Sequence, residues 1–128
     1  MIKVEVKKQS NYPVSAKLIR DILKGFFTKE GIISDALVSV AIVGEKKMLE
    51  LGGKYLKDKI LHGVLSFTED ELRGNFIYPP DGKIYLGEII VCYPKVVEEA
   101  KKEGVLIDEK VKELILHSAE HLMGRHHE

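Results

Sequence analysis

The sequence has little that would support a secreted or membrane-bound protein. Cys92 is the only cysteine, which excludes an intramolecular disulfide and favours a reducing compartment. The apolar runs are far shorter than the ~20 residues that a transmembrane helix needs. Residues 1–7 alternate apolar and charged side chains and lack the apolar core of a signal peptide. We therefore expect a cytoplasmic protein with no membrane partner.

The chain also lacks an excess of charge of either sign. Lys plus Arg number 20, and Asp plus Glu number 20. A basic field over the whole protein is therefore excluded, and any contact with RNA must come from a local patch. The 128 residues are 45% hydrophobic and contain no repeat, low-complexity segment or linker. We expect residues 1–128 to form a single domain with a substantial core.

Four segments have the pattern of β-strands. Residues 2–6 alternate apolar and charged side chains, and residues 36–43 and 64–67 are short and mainly apolar. Residues 85–92 are almost continuously apolar, which predicts a central strand covered on both faces. Residues 76–83 predict a hairpin or a lid-like excursion, because they end in the turn sequence Pro80-Asp81-Gly82-Lys83.

Helical patterns alternate with these strands. Their boundaries are Pro13 and Ser15 to Gly31, residues 45–56, Pro94 to Gly104, and Asp108 to Gly124. The second helix is expected to be interrupted or ended at Gly52-Gly53, because paired glycines are poor helix formers. Asp108 is expected to cap the last helix. The order of elements predicts an α+β, α/β-like fold: a mixed sheet of about four strands with packed helices and a histidine-bearing C-terminal helix.

The C-terminal helix and tail carry four of the five histidines. His117 and His121 are spaced i and i+4, so their rings lie on one face of the helix, at the edge of its apolar side. Gly124 should end the helix and allow a third imidazole, from His126 or His127, to fold back. Three imidazoles would leave a fourth tetrahedral position for water, which is the arrangement of a catalytic zinc site.

Three segments resemble one known family. His117-x3-His121-x5-His127, with Leu122 and Gly124 between, is similar to the metal-binding signature of the YbeY endoribonuclease family. Tyr55 with Val64-Leu65-Ser66-Phe67 is similar to a second family segment, and Leu86-Gly87-Glu88-Ile89-Ile90-Val91 to a third. The matches occur in the family's order over residues 48–127.

The resemblance implies a zinc-dependent endoribonuclease that cuts single-stranded RNA in the maturation of small-subunit ribosomal RNA and in ribosome quality control. It implies one zinc ion per chain, or nickel acquired during preparation, held at a catalytic site by His117, His121 and His127. The family spacing selects His127 over His126. Ribosomal RNA and small-subunit ribosomal proteins are the partners that it suggests.

The chain departs from the family pattern at several positions. Leu56 stands where the family has an arginine that would stabilise the phosphorane, and leucine supplies no charge. Lys54, Lys57 or Lys59 could supply a point charge from the same region, although any one of them is more often an ordinary solvated lysine. Lys57, Lys59 and Ser66 are the candidate substrate contacts, and Ser66 could equally be an ordinary strand serine. His62, Glu88, Glu120 and His126 also differ from the usual family residues. His62 could line the cleft near the metal, although a lone histidine where a strand begins is more often structural, and His126 could orient a metal ligand through its ring N–H. Glu120 could approach the site but is more often a solvated surface residue, and Glu88 receives no assigned chemistry.

Three alternatives to this interpretation remain. The histidine pair could be an ordinary surface feature. The protein could be a catalytically weak relative that binds RNA or ribosomal partners and keeps a structural metal, as Leu56 would allow. It could also hydrolyse a peptide or amide, but Ser118 occupies the position after the first histidine where zinc peptidases carry their glutamate. That third alternative requires a carboxylate near the open position of the metal. Cys92, inside an apolar strand, is expected to be a buried, inert thiol.

Overall fold

The structure is a computed structural model that describes residues 1–72 and 84–124. Its elements are β1 (Ile2–Lys8), α1 (Ala16–Lys29), β2 (Ala36–Val43), α2 (Glu45–Tyr55), β3 (Val64–Phe67), α3 (Glu69–Leu72), β4 (Ile84–Cys92), α4 (Tyr93–Glu103) and α5 (Ile107–Leu122). None of the helices in these ranges is long and apolar enough to cross a bilayer. The hairpin predicted over residues 76–83, and both tail histidines, lie outside the described residues.

The strands form one mixed sheet in the order β1-β2-β4-β3. β1 pairs with β2 and β2 with β4 in parallel, whereas β3 runs antiparallel to β4 along the edge. The connection between β1 and β2 contains α1, as a parallel pair requires a long crossover. The predicted α+β fold with a four-stranded mixed sheet is confirmed.

Helices cover both faces of the sheet. The larger core packs one face against α1, α4 and α5 through Leu23, Val96 and Ile115, among others. The smaller core packs the other face against α2 through Met48. Alternate side chains of β4 enter the two cores, so the prediction of a central strand covered on both faces is confirmed.

Gly87 allows β4 to pass close to the edge strand and to the last helix. Its φ of +141° lies in a region that side-chain-bearing residues rarely adopt, and the strand register shifts beside it. A Cβ atom at this position would lie 2.3 Å from the carbonyl oxygen of Phe67 and 2.7 Å from a methyl group of Leu122. A glycine is therefore required where β3, β4 and α5 meet.

The expected break at Gly52-Gly53 is wrong. α2 continues through both glycines to Tyr55, and the N–H of Leu56 closes the last turn on the carbonyl of Gly52. Gly52 is buried, and a Cβ there would lie 3.2 Å from a carboxylate oxygen of Asp58. Close packing of the following loop against the helix thus compensates for the poor helix propensity of glycine.

The expected cap at Asp108 is also wrong. α5 starts at Ile107, its N-cap residue is Leu106, and the cap makes no side-chain hydrogen bond. Asp108 instead lies in the first turn with Glu109. Both carboxylates there interact favourably with the positive end of the helix dipole.

Candidate metal centre

α5 places His117 and His121 beside the core. Val111, Ile115 and Leu122 anchor the helix by burying its apolar side. His117 is exposed one turn before His121, which is partly buried. The pair therefore borders the core, as the helical pattern predicts. The helix ends as expected, because Gly124 adopts a left-handed φ of +81° and its N–H donates to the carbonyl of His121.

Both ring nitrogens of His121 have close neighbours from the edge of the sheet. Nδ1 lies 2.7 Å from the hydroxyl oxygen of Ser66 on β3. Nε2 lies 3.2 Å from Oε1 of Glu71 on α3. These contacts join α5 to the edge strand and to the short helix that follows it, so the orientation of the ring is fixed from two sides.

The position of one proton decides what this ring can bind. When Nε2 carries the proton, it donates to Glu71, and Nδ1 accepts from the hydroxyl of Ser66. When Nδ1 carries the proton, it donates to Ser66 and leaves a lone pair on Nε2. A metal ion requires the second tautomer. Ser66 can form a hydrogen bond with either tautomer, since a hydroxyl can either donate or accept.

The local sequence explains how Glu71 is held. The N–H of Thr68 donates to Oε1 of Glu71 at 2.8 Å, and the N–H of Glu71 lies 3.3 Å from Oγ1 of Thr68. This reciprocal pair is a capping box, which the spacing Thr68-x-x-Glu71 encodes. The spacing could have predicted the turn, but nothing in the sequence relates Glu71 to His121, and sequence reasoning missed this contact.

The donor atoms in this region fit a zinc ion. Imidazole nitrogen and carboxylate oxygen are both common zinc ligands, and the ring of His121 has a hydrogen-bond partner that can hold the required tautomer. Within residues 1–72 and 84–124, no three His, Cys, Asp or Glu side chains are grouped closely enough to hold a metal. The predicted third ligand, His127, lies outside the described residues, and the three-histidine site stays a prediction.

The candidate substrate residues lie in two places. Ser66 lies in the candidate metal centre, in contact with His121. Lys57 and Lys59 are exposed on the loop after α2 and line an open depression of about 600 Å³ with Leu49, Gly53 and Asp58. Contact of these three residues with substrate stays a prediction. Leu56 lies half-exposed at the C-terminal end of α2.

His62 has a partner on its own loop. Its Nε2 lies 3.0 and 3.2 Å from the two carboxylate oxygens of Asp58, and its ring also lies near Gly52. Asp58 in addition accepts the N–H of Ile60. These contacts fold the loop against α2, so the structural interpretation of His62 is favoured over a role at the metal.

Two further residues lie away from the histidines. Cys92 is fully buried, and burial raises the pKa of its thiol, which confirms the expected inert cysteine. Glu88 pairs with Phe67 in the register of the sheet, so it projects on the opposite face from Ser66. Partial burial raises the pKa of its carboxyl group.

Known proteins resemble the chain over 72% to 100% of its length. A protein of Roseiflexus castenholzii named endoribonuclease YbeY is 27% identical over 128 residues, which are 100% of this chain and 80% of that protein. One of the same name from Thermodesulfovibrio yellowstonii is 35% identical over 92 residues, which are 72% of this chain and 54% of that protein. The solution structure of TM1509 from Thermotoga maritima has a TM-score of 0.62 at 25% identity and covers 98% of this chain and 75% of that one.

The family comparison gives the same result. The family model described as endoribonuclease YbeY matches residues 2–128. The matched range includes the edge strand, α3 and the histidines of α5. The chain therefore belongs to the YbeY endoribonuclease family.

Proposed function

We propose that the protein is a zinc-dependent endoribonuclease that cuts single-stranded RNA during maturation of small-subunit ribosomal RNA and ribosome quality control. Membership of the YbeY family supports this proposal. The observation that carries it is the contact of 2.7 Å between Ser66 and His121. It joins a residue of the Val-Leu-Ser-Phe segment to one of the histidine motif.

The proposed site uses the histidines as metal ligands. His117, His121 and His127 would hold one zinc ion, and Ser66 would keep His121 in the tautomer that leaves Nε2 available. A bound zinc ion supplies Lewis-acid chemistry, which polarises a phosphoryl oxygen or activates water as the nucleophile. The protein residues would bind the substrate and orient the phosphodiester in line for attack.

Local charge must attract the RNA, because the chain has a formal net charge of zero. Lys54, Lys57 and Lys59 are exposed at or after the end of α2. Lysines there would contact phosphates as point charges rather than through the planar fork of arginine. We expect such contacts to position the strand without reading its sequence.

The proposal is tested with a labelled single-stranded RNA and the matching duplex. Protein freed of metal and reloaded with zinc should cut the single strand and spare the duplex, and His117→Ala should lose at least about a hundredfold in rate if a metal ligand is removed. Equal cleavage by the wild-type protein and the variant would point to a contaminating nuclease and refute the proposal. His62→Ala, which changes a histidine paired on its own loop, is the matched control.

Two other functions each have a supporting observation. Leu56, half-exposed in place of the family arginine, favours a catalytically weak relative that binds RNA or ribosomal partners and keeps a structural metal. The carboxylate of Glu71, 3.2 Å from His121, favours a hydrolase of a peptide or amide, in which this group would act as general base. Zinc binding without RNA cleavage would support the first, and zinc-dependent cleavage of a peptide would support the second.

A further inference from the structure

A groove with a basic wall runs beside the outer edge of β1. β1 is the terminal strand of the sheet on the side opposite to β3, which carries Ser66 of the candidate metal centre. The groove has a volume of about 490 Å³, and its lining includes Lys3 and Val4 on β1 and Arg20 and Lys24 on α1. We propose that this β1 groove binds an extended, acidic segment of a partner protein, which adds to the sheet as a strand beside β1.

The backbone of β1 offers hydrogen bonds on its outer side. The N–H of Ala36 donates to the carbonyl of Met1, and β1 pairs with β2 in parallel from Ile2 onward. In such a pair the backbone groups of alternate residues point toward the neighbouring strand, so those of Ile2 and Val4 point outward. Within residues 1–72 and 84–124, no strand pairs with this outer edge. A peptide strand laid along it would meet a row of alternating donors and acceptors.

The charges beside the groove favour an acidic partner. Arg20 and Lys24 lie one turn apart on α1, and both line the groove. The nearby carboxylates are engaged elsewhere: Asp21 lies 2.6 Å from Lys17, and Asp35 lies 2.8 Å from the terminal amine. The charge of Arg20 and Lys24 is therefore available to carboxylates of a bound segment.

A second copy of this chain fits the groove poorly. β1 itself carries three lysines and one glutamate, so a second β1 would bring like charges to Arg20 and Lys24. Lysines on an edge strand normally discourage pairing with other strands. An acidic strand is the kind that such an edge admits, since it turns that repulsion into attraction.

RNA also fits less well than a peptide. Phosphates could meet the two cations of α1, but RNA has no regular row of amide donors and carbonyl acceptors to match the strand edge. An extended peptide satisfies the backbone of β1 and the charges of α1 together. Every second side chain of the added strand would lie on the α1 side of the sheet. Alternating glutamate and valine is the simplest sequence that places a carboxylate at each of these positions.

Fluorescence anisotropy of a labelled Glu-Val peptide with the full chain tests the charges. Binding should be saturable and should weaken with salt, and a peptide with lysine in place of glutamate should not bind. Arg20→Glu and Lys24→Glu should each weaken binding about fivefold or more. Lys29→Glu is the matched control and should bind like wild type. Lys29 is exposed in the last turn of α1, and a repeat of about 3.6 residues places it on the opposite side of the helix from Arg20.

Two N-methylated peptides test strand pairing without changing the protein. Methyl groups on the nitrogens of either all glutamates or all valines remove the N–H groups from one side of the strand only. Only one side would face β1, so one peptide should lose binding and the other should keep it. Equal binding by the two peptides, or wild-type affinity in both charge variants of α1, would overturn the inference. Single-stranded RNA that displaced the peptide, bound more tightly and lost affinity in both charge variants would assign the groove to RNA instead.

Discussion

At the scale of single residues, the hydroxyl of Ser66 determines what His121 can do. The 2.7 Å contact with Nδ1 joins β3 to a histidine of α5. Hydrogen bonds of this kind fix the tautomer of a metal-binding histidine, and their loss typically weakens metal binding about 10–100-fold. Ser66 is therefore a positioning residue in the proposed site.

Ser66→Ala should weaken zinc binding by about tenfold or more, because Nδ1 loses the partner that holds its proton. Isothermal titration with zinc measures the change. Ser118→Ala is the matched control: that hydroxyl is buried on α5 and makes no hydrogen bond within the described residues, so its removal should leave zinc affinity unchanged. If Ser66→Ala binds zinc as tightly as the wild-type protein, Ser66 does not support the metal site.

Leu56→Arg should increase the rate of RNA cleavage by about tenfold or more, because it restores a cation that can stabilise charge on the phosphoryl group. The side chain is 47% exposed, so the substitution should not disturb folding. Single-turnover kinetics at saturating zinc measure the rate, and Leu56→Gln supplies a polar control without charge. If the arginine variant is no faster than the glutamine variant, position 56 does not act on the substrate.

Some of these residue-level features could be predicted from the sequence, and others could not. His117 and His121 follow from helical spacing, and Gly124 follows from the preference of helix ends for glycine. The contact of Glu71 with His121 joins residues far apart in sequence, and no periodicity encodes it. The contact of Ser66 with His121 could not be predicted either, because a strand pattern does not reveal which helix packs above it.

At the scale of elements, α5 is held against the edge of the sheet by close approach. Gly87 lies where β4 passes beneath β3 and α5, and its missing side chain makes room for Phe67 and Leu122. Leu122 directly follows His121, so the position of the ring depends on this packing. The geometry of the proposed site is therefore sensitive to a residue that carries no functional group.

Gly87→Ala should destabilise the protein by about 3 kcal/mol or more, because the new methyl group would meet backbone and side-chain atoms at an unfavourable φ. Urea unfolding measures the change. Gly25→Ala, in the middle of α1 with no atom within 4 Å of the new Cβ, should instead stabilise by about 0.5–1 kcal/mol. Similar effects of both substitutions would contradict the proposed close approach.

A buried lysine joins α4 to α5. Nζ of Lys110 lies 2.7 Å from Glu103, 2.7 Å from Glu113 and 3.7 Å from Glu99. The hydrogen bonds that Lys110 donates to Glu103 and to Glu113 raise its pKa above the ordinary value for lysine. Burial of this residue could not be predicted from the sequence, because a lysine near the start of a helix normally faces solvent.

Lys110→Met should destabilise the protein by about 1–2 kcal/mol. The loss is smaller than for a fully buried ion pair, because water can reach the glutamates once the lysine is gone.

The contribution of Lys110 also depends on pH. Because its pKa is raised in the folded protein, the stabilisation is complete below the pKa of an unfolded lysine and is lost only as pH rises through the pKa of the folded protein. The difference from wild type in urea unfolding should therefore be constant from neutral pH to about pH 9.5. Lys112→Met, exposed on the same helix, should have little effect, and equal losses in the two variants would show that Lys110 has no special role.

Strand and helix order was predicted more reliably than element boundaries. Alternation identified β1 and apolar runs identified the other three strands, of which β4 has the longest run because it is buried on both faces. The continuation of α2 through Gly52 depends on packing against the loop that carries Asp58. The start of α5 at Ile107 depends on how α4 ends at Gly104. Both boundaries depend on tertiary contacts, which the intrinsic helix propensities of the residues do not reflect.

At the scale of the whole molecule, the fold brings three separate parts of the chain to one edge of the sheet. The edge strand supplies Ser66, the short helix after it supplies Glu71, and the last helix supplies His121. The two faces of the sheet have different roles: α5 and the proposed site lie on one face, while α2 packs on the other. The lysines proposed to contact RNA lie at or after the end of α2.

Zinc titration of single-histidine variants tests whether three imidazoles of the C-terminal helix and tail hold one ion. Wild-type protein should bind one zinc ion, and His117→Ala, His121→Ala and His127→Ala should each lose at least about a hundredfold in affinity. His126→Ala, which changes the neighbour of the proposed third ligand, should bind like wild type. Zinc affinity that is unchanged in His121→Ala, or lost in His126→Ala and kept in His127→Ala, would contradict the proposed site.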